Sequence, residues 1–486
     1  MLQIVWLKKD LRLRDHAPLK SAIELSYPTL LIYIFEPTLI NASDSSSRHW
    51  QFVYHSLLSM NTELKPLGAE VRIFYGEAID VFDWLVTNHA IKGVFSYQET
   101  GNDISFKRDR ILKTYFKDKG IKWVEFQSNG VIRGLQNRAY WGENWEKSMN
   151  EPEDTPILEK LIPSNIIVPE YFCIDPLFKR KMENYPKAFQ PPGEKFAWRY
   201  LTSFFEERAN GYTKYLSKPL DSRFHCSRMS PYLTWGNLSS KQLFKFYQKN
   251  VEASLFKRDL INFRSRLQWR CHFIQKFESE CRMEFEPLNK TYIQLQKPVN
   301  EDFIQAWEDA KTGYPLVDAC MKAVKETGYL NFRMRAMLVS FLTHTLWQPW
   351  PLGVHFLARQ FLDYEIGIHF SQWQMQAGLW GINTIRVYNP VKQSIENDFE
   401  GQFIKIWLPE LKKIPNEYIH EPYKMTPLEQ KFYDIKIGVD YPYPIVNYEI
   451  ANKRSLEILH QFRKREDTKI ENERIIGIHV SRKKNS

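Results

Sequence analysis

The chain opens MLQIVWLKKDLRLRDHAPL (Met1–Leu19), an apolar run that passes straight into alternating basic and apolar residues. Gln3–Trp6 reads as a β-strand, and four short runs repeat its character: Thr29–Phe35, Glu70–Phe74, Gly93–Tyr97 and Lys122–Phe126. Near-continuous apolar strands are what a sheet buried on both faces requires. Between them lie segments of helical period, among them Val81–Ala90 and Lys107–Phe116. This alternation predicts an α/β domain over residues 1–130, a doubly wound parallel sheet with its ligand crevice beyond the carboxyl ends of the strands.

Beyond residue 130 the pattern dissolves. Pro152, Pro156, Pro163, Pro169, Pro176, Pro186, Pro191 and Pro192 recur without period, so 131–192 reads as a connector over the surface, with Trp141 and Trp145 packing back onto a domain. From Gly193 the chain reads helical, with Leu330, Met334, Met337 and Phe341 at helical spacing, and an all-α domain is expected over 193–450. Residues 451–486 are charged and end in RKKNS, which predicts a frayed helix and a short mobile tail.

A chain of 486 residues is too long for one core and suits two domains. Aromatic residues make up 15%, enough to fill cores and also to stack on a flat cofactor or an unstacked base. The net charge of +10 favours a polyanionic partner, nucleic acid above all. Cys173, Cys226, Cys271, Cys281 and Cys320 are scattered without a CxxC pair, which argues against a disulfide framework, a zinc site or an iron–sulfur cluster. No run approaches ~18 apolar residues, so no membrane helix is expected. The first residues read as a strand and not as a signal peptide, and a cytoplasmic monomer is expected.

Five further blocks follow in a fixed order: WEDAKTGYPLVD (Trp307–Asp318), GYLNFRMR (Gly328–Arg335), FLDYEIGIHFSQWQ (Phe361–Gln374), IRVYNPVKQS (Ile385–Ser394) and IKIWLPEL (Ile404–Leu411). With the opening and SYQETGN (Ser96–Asn102), they resemble the photolyase/cryptochrome family from residue 1 to about 450. The resemblance implies an all-α C-terminal FAD-binding domain. It further implies light-driven repair of UV-induced pyrimidine dimers in DNA by electron transfer from reduced FAD, the reaction of a deoxyribodipyrimidine photolyase. The alternative in the same family is a cryptochrome blue-light photoreceptor without DNA repair.

By residue type alone, Arg335 and Asp363 make an ordinary buried ion pair. The resemblance places them against the flavin ring. It makes Glu365 the second carboxylate of an Asp-x-Asp pair, one methylene longer than usual and accepting from the ring N3–H. His369 falls where repair enzymes place Asn facing flavin N5, and two readings are open. Either the imidazole bonds N5 or holds a proton, or it fills the position and bonds a backbone carbonyl. HCSRMSPYLTWGNLS (His225–Ser239) alone is a helix start, with Ser227 and Ser230 ahead of Pro231. The resemblance makes Cys226, Ser227, Met229 and Ser230, with Tyr212, the FAD phosphate segment.

Trp373 and Trp350 match the proximal and middle members of the family's electron-transfer chain, and Lys297 stands at the third position. Either the chain ends early or another ring, such as Trp347, Trp380 or Tyr292, takes over. In the lesion pocket, Arg266, Phe332 and Met375 stand where repair enzymes carry Glu, Asn and a second Trp. Trp269 and Arg270 keep the stacking and phosphate-contacting pair, and Arg333, Arg386, Lys392 and Gln393 match backbone-contacting positions. For the basic residues a solvated surface is the simpler reading. Lys8 and Glu99 lie near the family's antenna site, which takes a folate, a deazaflavin or nothing.

Overall fold

The computed structural model describes residues 1–480. Five parallel strands form one sheet: β1 Leu2–Leu7, β2 Thr29–Phe35, β3 Val71–Tyr75, β4 Ile91–Tyr97 and β5 Lys122–Phe126. Their order is β3-β2-β1-β4-β5, so the connections reverse direction between β1 and β4. All five runs read from the sequence are strands. Alternate residues of β1 enter different cores, Val5 and Leu7 one and Ile4 and Trp6 the other, as a pleat of period two dictates.

One face of the sheet is closed by Val81, Phe82 and Leu85 of the Ala78–Asn88 helix with Leu112 and Phe116 of Asp103–Asp118. On the other face, Phe52 and Leu57 of the Ser47–Leu64 helix share one core with Trp235, Leu260, Leu267 and Leu362 from the helical half. The two halves therefore share an apolar interior. From Glu194 onward the described chain is helical, with no further strand.

The proline-rich stretch is not bare connector. It carries the helices Trp141–Asn150 and Pro176–Glu183. Trp145 is fully buried with its ring 5.5 Å from Phe244, and Trp141 lies 5.8 Å from His272. The end of the chain also differs from the expected frayed helix. Tyr448–Arg463 and Glu466–His479 are two packed helices, with Leu459 and Ile475 fully buried and His479 Nε2 2.9 Å from Glu280 Oε1. So few apolar residues among many charges hide the helical stripe. The expected mobile tail lies outside the described residues.

Four consecutive residues stitch the halves together. Thr234 Oγ1 donates to the Asp363 carbonyl (3.3 Å) and Trp235 Nε1 to that of Leu362 (2.9 Å). The Gly236 carbonyl accepts from Arg12 (3.1 Å), and Asn237 Nδ2 donates to the Leu11 carbonyl (2.9 Å). Gly236 has φ of +71°, and a Cβ there would lie 2.2 Å from the Lys9 carbonyl oxygen and 2.5 Å from Asp10 Cα. Both the left-handed backbone and the approach of another backbone require glycine. No described helix is long and apolar enough to cross a membrane.

We predict that Gly236→Ala lowers stability by at least about 3 kcal/mol, because steric overlap adds to left-handed strain. Gly68→Ala is the control: at φ +67° with no atom within 4 Å of its Cβ, it meets only the strain of about 1–2 kcal/mol. Equal losses in chemical denaturation would show that the approach to Lys9 is not tight.

Candidate functional site

Asp363 and Glu365 precede the Ile366–Gln376 helix, and Arg335 lies on the Phe332–Ser340 helix that packs against it. Arg335 NH2 holds Asp363 Oδ2 at 2.9 Å, its Nε donates to the Leu330 carbonyl at 2.7 Å, and its guanidinium lies 4.0 Å from the centre of the Phe361 ring. Asp363 Oδ1 is buried and has no partner among the described residues. A buried carboxylate oxygen left unpaired is costly, so an N–H donor belongs there.

Nearby, Leu362 N donates to the Gly328 carbonyl, and Arg228 lies 3.7 Å over the ring of Tyr329 with its Nε buried and without a partner among the described residues. Arg228 has a φ of 58°, which bends the Cys226–Ser230 segment before the short helix at Ser230. Arg208 ties that segment down, donating to the carbonyls of Cys226 and Ser227. Ser227 Oγ accepts from Met229 N at 3.4 Å and Met229 is buried. Burial pushes the Cys226 thiol up to about 11, so it stays protonated. Tyr212 is buried against Phe204 and Phe263. The orphaned acceptor on Asp363 and the donor on Arg228 fit a flat, polar, phosphate-bearing cofactor such as FAD.

Two residues stand differently from the sequence expectation, and a third takes one of its two open readings. Glu365 is taken up by two cations, Oε1 by Lys9 (3.6 Å) and Oε2 by Arg270 (3.5 Å), because the extra methylene carries it to the other half of the molecule. Arg270 is turned inward and not toward a phosphate: it donates to Asn129 Oδ1 (3.0 Å) and the Leu233 carbonyl (2.9 Å). His369 bonds the Val354 carbonyl through Nε2 (2.8 Å) among the rings of Phe361, Tyr364, Phe370 and Trp373, the second of its two readings. Burial outweighs that hydrogen bond and lowers His369 to about 4, so the imidazole is uncharged at neutral pH and its Nε2–H donates to the carbonyl.

Trp373 is buried with its ring 5.5 Å from His369 and 6.5 Å, perpendicular, from Trp307. Trp350 meets Phe370 edge-on at 6.2 Å. Lys297 donates to the Thr343 carbonyl (2.6 Å) and sits 4.2 Å over Trp347. Trp269 and Phe332 are each 50% exposed, large for aromatic rings. Trp269 stacks at 5.7 Å on Phe273 of the same Lys257–Ser279 helix, which packs on Ile366–Gln376. Arg266 and Arg386 are exposed, while Met375 is half-buried. Arg333 lies near Tyr388, Lys392 pairs with Glu396 at 3.7 Å, and Gln393 donates to Glu396 at 3.4 Å.

At the reversal of the sheet, a crevice lined by Lys8, Lys9, Tyr97 and Glu99 opens beyond the ends of β1 and β4. Arg108 bridges Glu36 (2.7 Å) and Glu99 (2.6 Å) there, and Lys8 pairs with Asp109 (3.0 Å). Burial pushes Glu99 up, but Arg108, Lys8 and Lys9 outweigh it and hold the carboxylate below its ordinary range.

Comparison with known proteins agrees with this geometry. Residues 263–461 match the family model described as the FAD binding domain of DNA photolyase, and residues 3–135 match DNA photolyase. A deoxyribodipyrimidine photo-lyase of Alkalihalophilus pseudofirmus is 26% identical, covering 94% of this chain and 97% of that protein. A Synechocystis cryptochrome structure superposes with a TM-score of 0.84 at 22% identity, covering 94% of this chain and 99% of that one. An archaeal photolyase from Sulfolobus tokodaii, solved with two FAD molecules, gives 0.78 at 24% identity, covering 95% and 100%. The chain belongs to the photolyase/cryptochrome family and carries that family's FAD-binding domain. Sequence reading missed Arg228, Arg208 and Lys9, whose roles come from contacts with residues distant in the chain.

Two predictions arise here. Asp363→Ala leaves Arg335 unpaired and should lower flavin occupancy, with a stability loss of roughly 1–3 kcal/mol since Arg335 keeps some exposure. Full occupancy and stability, read from flavin absorbance and denaturation, would misplace the pocket. The second concerns pH. His49 and His479 are also lowered to about 4 by burial, so the native state binds fewer protons than the unfolded chain between pH 4 and about 6.5. Stability should therefore rise with pH across that window and fall on acidification. His369→Asn should remove up to about 3 kcal/mol of the fall, measured by urea unfolding at both ends.

Proposed function

We propose that the protein repairs UV-made pyrimidine dimers in DNA, using light, as a deoxyribodipyrimidine photolyase acting as a monomer. The observation that carries this reading is Trp269, a half-exposed indole braced by Phe273 on a helix that also presents the exposed Arg266. A damaged base pair must leave the stack to reach a buried redox site, and a poorly stacked dimer does so at least cost. Trp269 offers it a surface worth roughly 1–3 kcal/mol per base, and Phe332 offers a second ring. Arg266, Arg333, Arg386 and Gln393 are assigned to phosphates, which fix register without reading sequence.

Bound in reduced form, FAD supplies one-electron donation to the lesion when it absorbs light. Asp363, Arg335, Tyr212 and the Cys226–Ser230 segment are assigned to hold it. His369, neutral and committed to the Val354 carbonyl, fills its place and brings no charge. Trp373 and Trp350 are the oxidisable rings through which electrons pass inward. The crevice at Lys8 and Glu99 is assigned to an antenna pigment.

The photoreceptor reading draws support from Arg266, Phe332 and Met375, which replace the Glu, Asn and Trp of the resembling repair enzymes. Arg386→Ala should weaken DNA binding regardless of sequence and reduce its salt dependence by about one counterion. Trp269→Ala should instead erode the preference for damaged DNA. The reduced protein should restore cyclobutane dimers in light and not in darkness. Binding without lesion preference and no light-dependent repair, on single- and double-stranded substrates alike, would leave the photoreceptor reading standing.

A further inference from the structure

Trp350 also lines a second cavity, of about 310 Å³. That is the size of a small-molecule site. Its wall includes Phe285, Tyr292, Leu295, Lys297 and Trp350, with prolines between them. Trp350 is 8% exposed, and the ring that the electron path assigns as middle member forms part of this wall. Flat apolar walls suit an aromatic ring, and the half-buried Lys297 in the lining brings an amine that suits an acidic hydroxyl.

We propose that this cavity binds a small phenol, which serves as the terminal electron donor to Trp350. The proposal rests on the reading of Trp350 as an electron-path residue. When Trp350 has given up an electron it is a radical cation. The phenol passes it one electron, its O–H bond breaks, and the Lys297 amine takes the proton. The products are a neutral phenoxyl radical, restored Trp350 and an ammonium at Lys297, so charge and atoms balance. Lys297 is equipped for this role. Burial lowers it to about 7, so a substantial share is free amine at neutral pH, held in place by its bond to the Thr343 carbonyl. A lysine where a third oxidisable ring would stand then has a function: it replaces a fixed donor by a bound one.

The test uses p-cresol with the full-length flavin-loaded protein. In darkness, calorimetry should give saturable binding, weakened at least tenfold by Leu295→Phe, which fills the cavity. Ile293→Phe, at the exposed rim, serves if that variant folds poorly. After a flash, decay of the tryptophan radical should accelerate with p-cresol and plateau at the concentration that saturates binding. Lys297→Met should weaken the binding while leaving it saturable and, at saturating p-cresol, slow the accelerated decay at least fivefold. Absence of saturable binding overturns the site. Binding with a decay rate that climbs linearly, or that Lys297→Met leaves unchanged, overturns the donor role. If Trp373→Phe and Trp350→Phe leave photoreduction at wild-type rates, the electron path itself fails and the donor role falls with it, whatever the calorimetry shows.

Discussion

Gly236 lies so close to the backbone of Lys9 and Asp10 that no side chain fits between them, and the placement of the site depends on that contact. The loop leaving β1 is pinned there by Arg12 and Asn237, while Thr234 and Trp235 hold the carbonyls of Asp363 and Leu362. The carboxyl end of the sheet and the start of the Ile366–Gln376 helix are thereby held to one short segment. Behind it, Phe52, Trp235, Leu267 and Leu362 bury apolar surface in a single core. Such an interface resists the relative motion that polar, wet domain contacts permit.

The same joint separates the fates of two carboxylates. Asp363 keeps one oxygen on Arg335 and the other without a partner among the described residues, whereas Glu365, two residues on, is taken by Lys9 and Arg270. One added methylene suffices, because Lys9 is delivered by the loop after β1. Desolvated carboxylates are retained only where cations or donors meet them. Glu365 is met by the protein, and Asp363 is half met, which leaves it one acceptor oxygen. Arg270 turns inward for the same reason, so the rim of the cleft rests on Arg266, Arg333 and Arg386. The positive charge therefore sits differently from the sequence expectation.

The aromatic interior shows a related division. His369, Phe370, Trp373 and Trp350 form a continuous set of neighbouring rings, and burial keeps the histidine among them uncharged. An uncharged histidine among buried indoles adds no charge of its own beside them. At the outer end Lys297 is itself desolvated, and the charge there is only partly retained at neutral pH.

By itself the sequence determined the five strands, their helices and the order of motifs that places a family, because backbone period and local apolar pattern are short-range properties. Val5 and Trp6 face opposite cores whatever the rest of the chain does. It also named the Asp363–Arg335 pair, since a buried arginine needs a carboxylate. It did not show that Trp141–Asn150 and the final two helices pack tightly, because few apolar residues mark them among prolines or charges. Nor did it show the inward turn of Arg270, the capture of Glu365, the stacking of Arg228 on Tyr329 or the commitment of His369 to Val354. Those are directions of long polar side chains. Only tertiary packing decided them, because desolvation sends each group to whichever charge or carbonyl the fold brings within reach.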